Sequence, residues 1–363
     1  MSIQRRVLVD LLSYTGSKGG TDVYIKNLYE KIGKQSHEFE FFGIASRDAR
    51  LIDTSWFPGP VIYSRLGGNN KIAWACAEIF SVNRFARKIR PDFIHSPANF
   101  GPLRSNYKLV LTLHDALYWS KPHLAPSKLL LHGVRFMQKF TAQTSTAIIT
   151  DSISSSEDIN KHMGIPFSKI SPVYLGAEFK LLSDDLPLTT KPYFLTGGNR
   201  FRHKNWENLL KAWALIEPNE RPKLVITGGG RKDPLARLVK EYSLTDSVDL
   251  LNWIPESELE ELYMNSSAVI IPSLHEGFSL SVLQAMVSKK PLIASDIPVH
   301  KELATGIAYF FDPNNPESIA SAVSEFTSNS SELEARREFG LEKSREFSWE
   351  KCALETLSIF GRI

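Results

Sequence analysis

Short unbroken apolar runs alternate with amphipathic stretches along almost the whole chain. The runs at 7–12, 39–44, 92–95, 108–113, 147–150, 170–175, 193–196, 223–227, 249–251, 268–272 and 291–295 are rich in Val, Ile, Leu and Phe. They read as strands buried on both faces. Between them, helical spacing predicts a helix after Gly19-Gly20 with Val23, Leu28 and Ile32 on its apolar side. Further helices are expected over 71–89, 128–140, 206–216 and 278–286, from Glu256 onward, and over the tail 331–360. A serine cluster after residue 150 predicts another, N-capped by Ser154 or Ser155 and ended by Gly164 and Pro166. Residues 46–70, with Pro58, Gly59, Pro60 and Gly67-Gly68-Asn69-Asn70, read as loop. Strand–helix alternation of this kind predicts parallel, doubly wound α/β sheets. The 363 residues exceed one ordinary core. Periodicity lapses over 179–192, which carries two prolines and reads as a linker between two such domains.

The stretch 268–286, AVIIPSLHEGFSLSVLQAM, carries the chemistry most clearly. A buried strand ends at Pro272, a polar turn closes on Gly277, and a helix follows with Ser279 as its N-cap. Such a unit places backbone N–H groups and a helix-dipole terminus outside the carboxyl edge of a sheet, where an anion binds. Glu276 stands beside it as an acceptor for hydroxyl groups, which suggests a phosphate next to a sugar. Strand–turn–helix units that bind nothing are common, so the other turns matter. The run 197–205, GGNRFRHKN, is a glycine turn loaded with cations, and Gly228-Gly229-Gly230 ends another strand. Gly19 and Gly20 follow the first strand, where the backbone turns sharply or approaches a ligand. His114-Asp115 stands at the end of the 108–113 strand, where a histidine can donate to a sugar hydroxyl or simply cap its own loop.

Charge divides the chain. Residues 1–180 hold 23 Lys and Arg against 14 Asp and Glu, +9, and residues 181–363 hold 20 against 26, −6, for a net +3. A basic first half suggests an anionic partner for it. Helix 128–140 sets Leu129, Leu130, Val134 and Met137 on one side, with Lys128, Arg135 and Lys139 elsewhere, which suits peripheral contact with an anionic membrane or packing on its own domain. No basic run interleaves with aromatics, so nucleic acid is not expected as a partner. Cys76 and Cys352 are far apart without metal spacing and are expected as free thiols in a reducing compartment. No secretory leader is apparent and no apolar run approaches the roughly 20 residues that span a bilayer, so a cytoplasmic protein is expected.

Taken in order, several of these segments resemble the retaining glycosyltransferases of family 4. They are the Gly19-Gly20 turn, His114-Asp115, VYLGAEF at 173–179, RHKN at 202–205, VDLLNWIPESELEELY at 248–263, PSLHEGFSLSVLQAM at 272–286, SDIPVHKEL at 295–303, YFFDP at 309–313 and FSWEKCALETL at 347–357. The resemblance implies a GT-B fold: two Rossmann-like doubly wound parallel-sheet domains, 1–180 for the acceptor and 190–347 for the nucleotide sugar, facing across a cleft onto which the glycine turns open. A last helix at about 348–363 would pack back on the first domain. In that family Glu276 would touch the donor sugar, and Gln284, where the family has an acidic residue, would accept from the ribose without a charge. The N–H groups of Phe278, Ser279 and Leu280, after Gly277, would hold the distal phosphate. Lys204, beside Gly198 and with Arg200 or Arg202, would neutralise the diphosphate, and Gly20 would approach it. The base would rest by Trp253 and Ile254. His114, with Asp115, would orient the sugar or shield developing oxocarbenium charge. No Asp-x-Asp motif sits near these turns, so a metal-independent reaction without cofactor is expected. The implied reaction moves a hexose, mannose from GDP-mannose first and glucose or another hexose from UDP second, onto a lipid-linked or oligosaccharide acceptor in surface polysaccharide assembly. A nucleotide-sugar epimerase or hydrolase on the same fold and a non-catalytic nucleotide-sugar binder are the alternatives.

Overall fold

The computed structural model of the protein describes residues 4–16, 19–35, 38–66, 81–179, 192–328 and 332–363. Most of the expected linker 179–192, the first part of the expected helix 71–89, and Cys76 lie outside the described residues. The chain divides into two compact units, one made of Met1–Gly176 with Ser348–Ile363, the other of Ala177–Phe347.

Unit one is built on seven parallel strands: β1 (Arg5–Leu11), β2 (Phe39–Ala45), β3 (Val61–Tyr63), β4 (Phe93–Ser96), β5 (Lys108–Thr112), β6 (Ala147–Thr150) and β7 (Ile170–Pro172). Their order is β3-β2-β1-β4-β5-β6-β7. Unit two has six: β8 (Tyr193–Gly197), β9 (Lys223–Gly229), β10 (Val248–Asn252), β11 (Ala268–Ile271), β12 (Leu292–Ser295) and β13 (Tyr309–Phe311), in the order β10-β9-β8-β11-β12-β13. Every recorded pairing is parallel, as in Val7↔Phe93 and Ala268↔Phe194. The apolar runs are continuous because helices cover both sheet faces; Val7, Leu8, Val9, Leu11, Ile270 and Ile293 are all fully buried. Each sheet reverses its strand order once, between β1 and β4 and between β8 and β11. A doubly wound sheet binds ligands outside the carboxyl ends of the strands at that point.

Local details differ from the expectations for identifiable reasons. In the helix Gly20–Gln35 the buried face is Tyr24, Ile25, Leu28, Tyr29 and Ile32, while Val23 is exposed. Two tyrosines do the packing that spacing assigned to a valine. The region 46–70 is not all loop: Arg47–Leu51 forms a 3-10 turn and β3 adds an edge strand. In the helix Ile153–Met163 the N-cap is Ser152, whose hydroxyl accepts from the Ser155 N–H; Ser154 and Ser155 lie inside. The helix Lys128–Thr144 turns Gln138, Thr141 and Ala142 inward. Leu129 and Phe136, one heptad apart, are 85% and 61% exposed, so Leu129 does not share the packed side with Leu130, Val134 and Met137.

The tail is two helices, Leu333–Ser344 and Trp349–Gly361. Ser348 caps the second through its hydroxyl, and the helix joins unit one. Phe360 packs on Phe39, Phe93 and His95, Arg5 donates to the Phe360 carbonyl at 3.2 Å, and Lys31 pairs with Glu350.

Candidate active site

In unit two the carboxyl ends of β8 and β11 bring two predicted residues together. Lys204 Nζ donates to Glu276 Oε1 at 2.7 Å, and Ser273 Oγ donates to the same oxygen at 2.6 Å. The local folding explains the meeting. Arg202–Lys204 is a 3-10 turn, and Asn205 follows in the left-handed region at φ 61° before the helix Trp206–Leu215 begins. Buried Asn205 donates its amide to the Pro272 and Pro313 carbonyls at 2.9 and 2.7 Å, and the Leu274 N–H donates to the His203 carbonyl at 2.7 Å. These bonds fasten the cationic turn to the end of β11. Gly198, at φ 132°, holds a backbone conformation that a side chain would strain; a Cβ there would make only an ordinary contact with the lysine stem, 3.4 Å from Lys204 Cε. A cavity of about 10 Å³ beside Lys204, lined by Thr196, Lys204, Ser273 and Ser281 among others, has room for about one water.

Burial alone would raise the Glu276 pKa. The Lys204 ammonium, His203 and the hydrogen bonds from Lys204 and Ser273 outweigh it and hold the carboxyl down at about 2. Gly277, Phe278 and Ser279 are buried, with Phe278 turned edge-on to Phe347, and Leu280 opens the helix Leu280–Val287. Ser279 occupies the N-cap position, although its side chain makes no capping bond. The first N–H groups of a helix have no partner within it and favour negative charge. Gln284 lies one turn along, half-buried.

The two candidate arginines differ. Arg200 is spent on structure: its guanidinium holds the Asp233 carboxylate at 2.7–3.1 Å, donates to the Gly198 and Thr227 carbonyls, and lies over Trp206. It thereby locks the β8 turn to the β9 turn, where Gly228, at φ 84°, is needed because a Cβ would meet the Gly198 carbonyl oxygen at 2.5 Å. Arg202 is exposed, and its guanidinium makes no hydrogen bond or ion pair among the described residues. Trp253 is 44% exposed beside the same β9 turn, with its N–H on the Gly229 carbonyl, and Ile254 next to it is half-buried.

In unit one, His114 and Asp115 follow β5. His114 is not poised to donate to a ligand: Nδ1 lies 2.8 Å from Asp151 Oδ2 and Nε2 lies 3.0 Å from the Pro97 carbonyl. Burial lowers its pKa, but the Asp151 carboxylate more than offsets this, helped by Asp115 and the Pro97 carbonyl, so the net shift is upward. Asp115 accepts from the Leu117 N–H at 2.9 Å, at the start of the turn that follows. Gly19 sits at φ 115° with no atom of the described residues within 4 Å of where a Cβ would be, and exposed Gly20 begins the helix that follows. Among the described residues no three His, Cys, Asp or Glu side chains converge as a metal site.

Several residues escaped the sequence reading. Asn205, Ser273 and His203 surround the Lys204–Glu276 pair. His300 is fully buried nearby, its Nδ1–H on the Ser295 carbonyl at 3.0 Å and its Nε2 without a hydrogen-bond partner among the described residues. Burial pulls it down to about 4, against the opposing charge of Glu276. Asp151, at the end of β6, was the other omission. A carboxylate just past a strand was a readable signal, but only the β5–β6 adjacency shows that it meets His114.

Residues 180–343 match the family described as glycosyl transferases group 1, and residues 18–180 match glycosyltransferase family 4. The O-antigen chain mannosyltransferase B of Escherichia coli is 26% identical over 286 residues, covering 74% of each chain. The sucrose-phosphate synthase structure from Thermosynechococcus elongatus superposes with a TM-score of 0.79 at 18% identity, over 99% of both chains. The Anabaena protein HepE in complex with UDP-glucose superposes at 0.78 and 15% identity, over 99% of this chain and 100% of that one.

Proposed function

The chain belongs to glycosyltransferase family 4, the group 1 glycosyltransferases, and has their GT-B fold of two Rossmann-like parallel-sheet units; from that premise we propose that it is a retaining hexosyltransferase of surface polysaccharide assembly. The observation that carries the site assignment is the Lys204–Glu276 pair at the β8/β11 switch point, beside the N-terminus of the helix Leu280–Val287.

A diphosphate bound there draws the Lys204 ammonium away from Glu276 and gains the N–H groups of Phe278, Ser279 and Leu280. Glu276, so released, accepts from hydroxyls of the sugar. Of the two arginines, Arg202 is the one with donors to spare, and Arg200 supports the turn. Gln284 accepts from the ribose, and Trp253 with Ile254 faces the base. In the transfer the C1–O bond to the phosphate breaks and a bond to the acceptor oxygen forms on the same face. The acceptor's proton passes to the departing phosphate. The leaving charge is met by Lys204 and the helix terminus, so the step runs without a metal. Mannose from GDP-mannose is the first donor reading, supported by the O-antigen mannosyltransferase relative; glucose from UDP is the second, supported by the HepE complex with UDP-glucose.

The acceptor is a lipid-linked glycan. Its membrane is met by unit one, whose helix Lys128–Thr144 exposes Leu129 and Phe136 beside Lys128 and Lys139. No helix among the described residues is long and apolar enough to cross a membrane. One assay tests the whole reading: labelled GDP- and UDP-hexoses are offered with lipid-linked oligosaccharide in vesicles of anionic or zwitterionic lipid. Label should enter the lipid-linked product from one donor, without added metal, and faster on anionic vesicles. Equal donor turnover with and without acceptor would make the protein a hydrolase.

A further inference from the structure

His114 has both ring nitrogens committed to groups that accept. Asp151 Oδ2 lies 2.8 Å from Nδ1 and the Pro97 carbonyl 3.0 Å from Nε2. A carbonyl oxygen has no proton to give and an ionised carboxylate has none either, so each nitrogen must donate. The ring then carries two protons and a full positive charge. Its side chain is 10% exposed and that of Asp151 5%, so the ion pair is close to fully desolvated.

The backbone around the ring is built to hold it still. The His114 N–H donates to Asn99 Oδ1 at 2.8 Å, and Asn99 itself sits at φ 66° with its N–H on the Thr112 carbonyl. Ser155 Oγ donates to the His114 carbonyl. The edge of Tyr24 stands against the imidazole at 87° and 5.0 Å. Loop ends from β4, β5 and β6 and the first turn of the helix Ile153–Met163 therefore converge on one side chain. The ionisable groups facing it are Asp151, Asp115, Tyr24 and His95, with Cys352 against Asp151. Burial drives the Tyr24 and Cys352 pKa values well up, and burial together with His114 pulls His95 down to about 3, so these three are uncharged at neutrality.

We propose that Asp151 is a positioning residue for the transfer reaction: it fixes His114 as a permanent imidazolium, so that His114 meets the reactants as a fixed charge and not as a base. This rests on the transferase reading for its place in the reaction, but not for the state of the ring. A histidine that cannot surrender a proton does not activate water, which suits an enzyme whose acceptor proton goes to the departing phosphate. One carboxylate oxygen, Asp151 Oδ1, is buried without a hydrogen-bond partner among the described residues, so the carboxylate leans on the ring as its main compensation.

The test combines two measurements on the full chain. In nitrogen-15 NMR of histidine-labelled protein, with the His114 signal identified by its loss in His114→Gln, the wild-type ring should keep both N–H protons through pH 8. In Asp151→Asn, which preserves the hydrogen bond without the charge, the ring should become neutral near pH 7. Turnover of that variant at pH 8 should fall about 100-fold with donor affinity changed less than about threefold, and should recover as pH is lowered and the ring regains its proton. A wild-type ring with one proton at pH 7 would overturn the proposal, and needs no substrate or variant to be seen. So would an Asp151→Asn variant whose activity loss is the same at every pH, or is matched by lost donor affinity, since a merely structural role predicts that pattern.

Discussion

Replacing Lys204 with alanine should lower kcat/KM by at least about 2 kcal/mol in transition-state stabilisation, a loss of ~30-fold or more, the scale for one electrostatic group in a closed site. The same change strands Glu276. Its carboxyl sits at about 2 in the folded protein, below the ordinary 4.5, because the Lys204 charge outweighs burial. A depressed carboxyl contributes stability that is complete above its unfolded pKa and disappears as pH falls through the folded one. The wild type should therefore be more stable than Lys204→Ala at neutral pH, and the gap should narrow as pH drops from about 4.5 toward about 2. Steady-state kinetics with the preferred donor and denaturant melts at several pH values measure both effects. Unchanged turnover would remove Lys204 from the site; a stability gap independent of pH would remove the ion pair.

The second large effect is on folding. Gly176 closes the first stretch of unit one, and a Cβ there would lie 2.2 Å from the Trp349 nitrogen and 2.6 Å from the Ser348 carbonyl carbon. Those are backbone atoms at the capped start of a helix and cannot move aside as a side-chain tip can. Gly176→Ala should displace the helix Trp349–Gly361 or strain its cap, costing about 3 kcal/mol, the upper range for overpacking. Limited proteolysis should cut the C-terminal helix in the variant under conditions where the wild type resists. A variant that resists equally and melts at the wild-type temperature would show that the helix start does not bear on residue 176.

Both predictions depend on contacts of different legibility. The alternation of apolar runs with amphipathic stretches was enough to predict parallel sheets, because a strand covered on both faces has no polar side to display. The turns carrying Lys204 and Glu276 were visible for the same reason: glycine, cations and a carboxylate follow directly on such runs. What stayed hidden was whatever depends on strand order. Asp151 and His114 are 37 residues apart and meet because β5 and β6 are neighbours. Asn205 reaches Pro272 and Pro313 across more than sixty residues of chain. Spacing alone left Arg200 and Arg202 equivalent; Asp233 on the next turn separates them by occupying one. Spacing groups Leu129 with the apolar side of its helix but does not say whether protein covers that side, and here the residue is 85% exposed.

The central claim is that unit two grips a diphosphate between Lys204 and the amino end of the helix that begins at Leu280. A crystal structure of the protein soaked with GDP or UDP in the absence of divalent metal tests it directly. The account predicts phosphate oxygens within hydrogen-bond reach of Lys204 Nζ and of the N–H groups of Phe278, Ser279 and Leu280, with the Lys204–Glu276 contact opened. A diphosphate bound elsewhere, with that ion pair still closed, would contradict it.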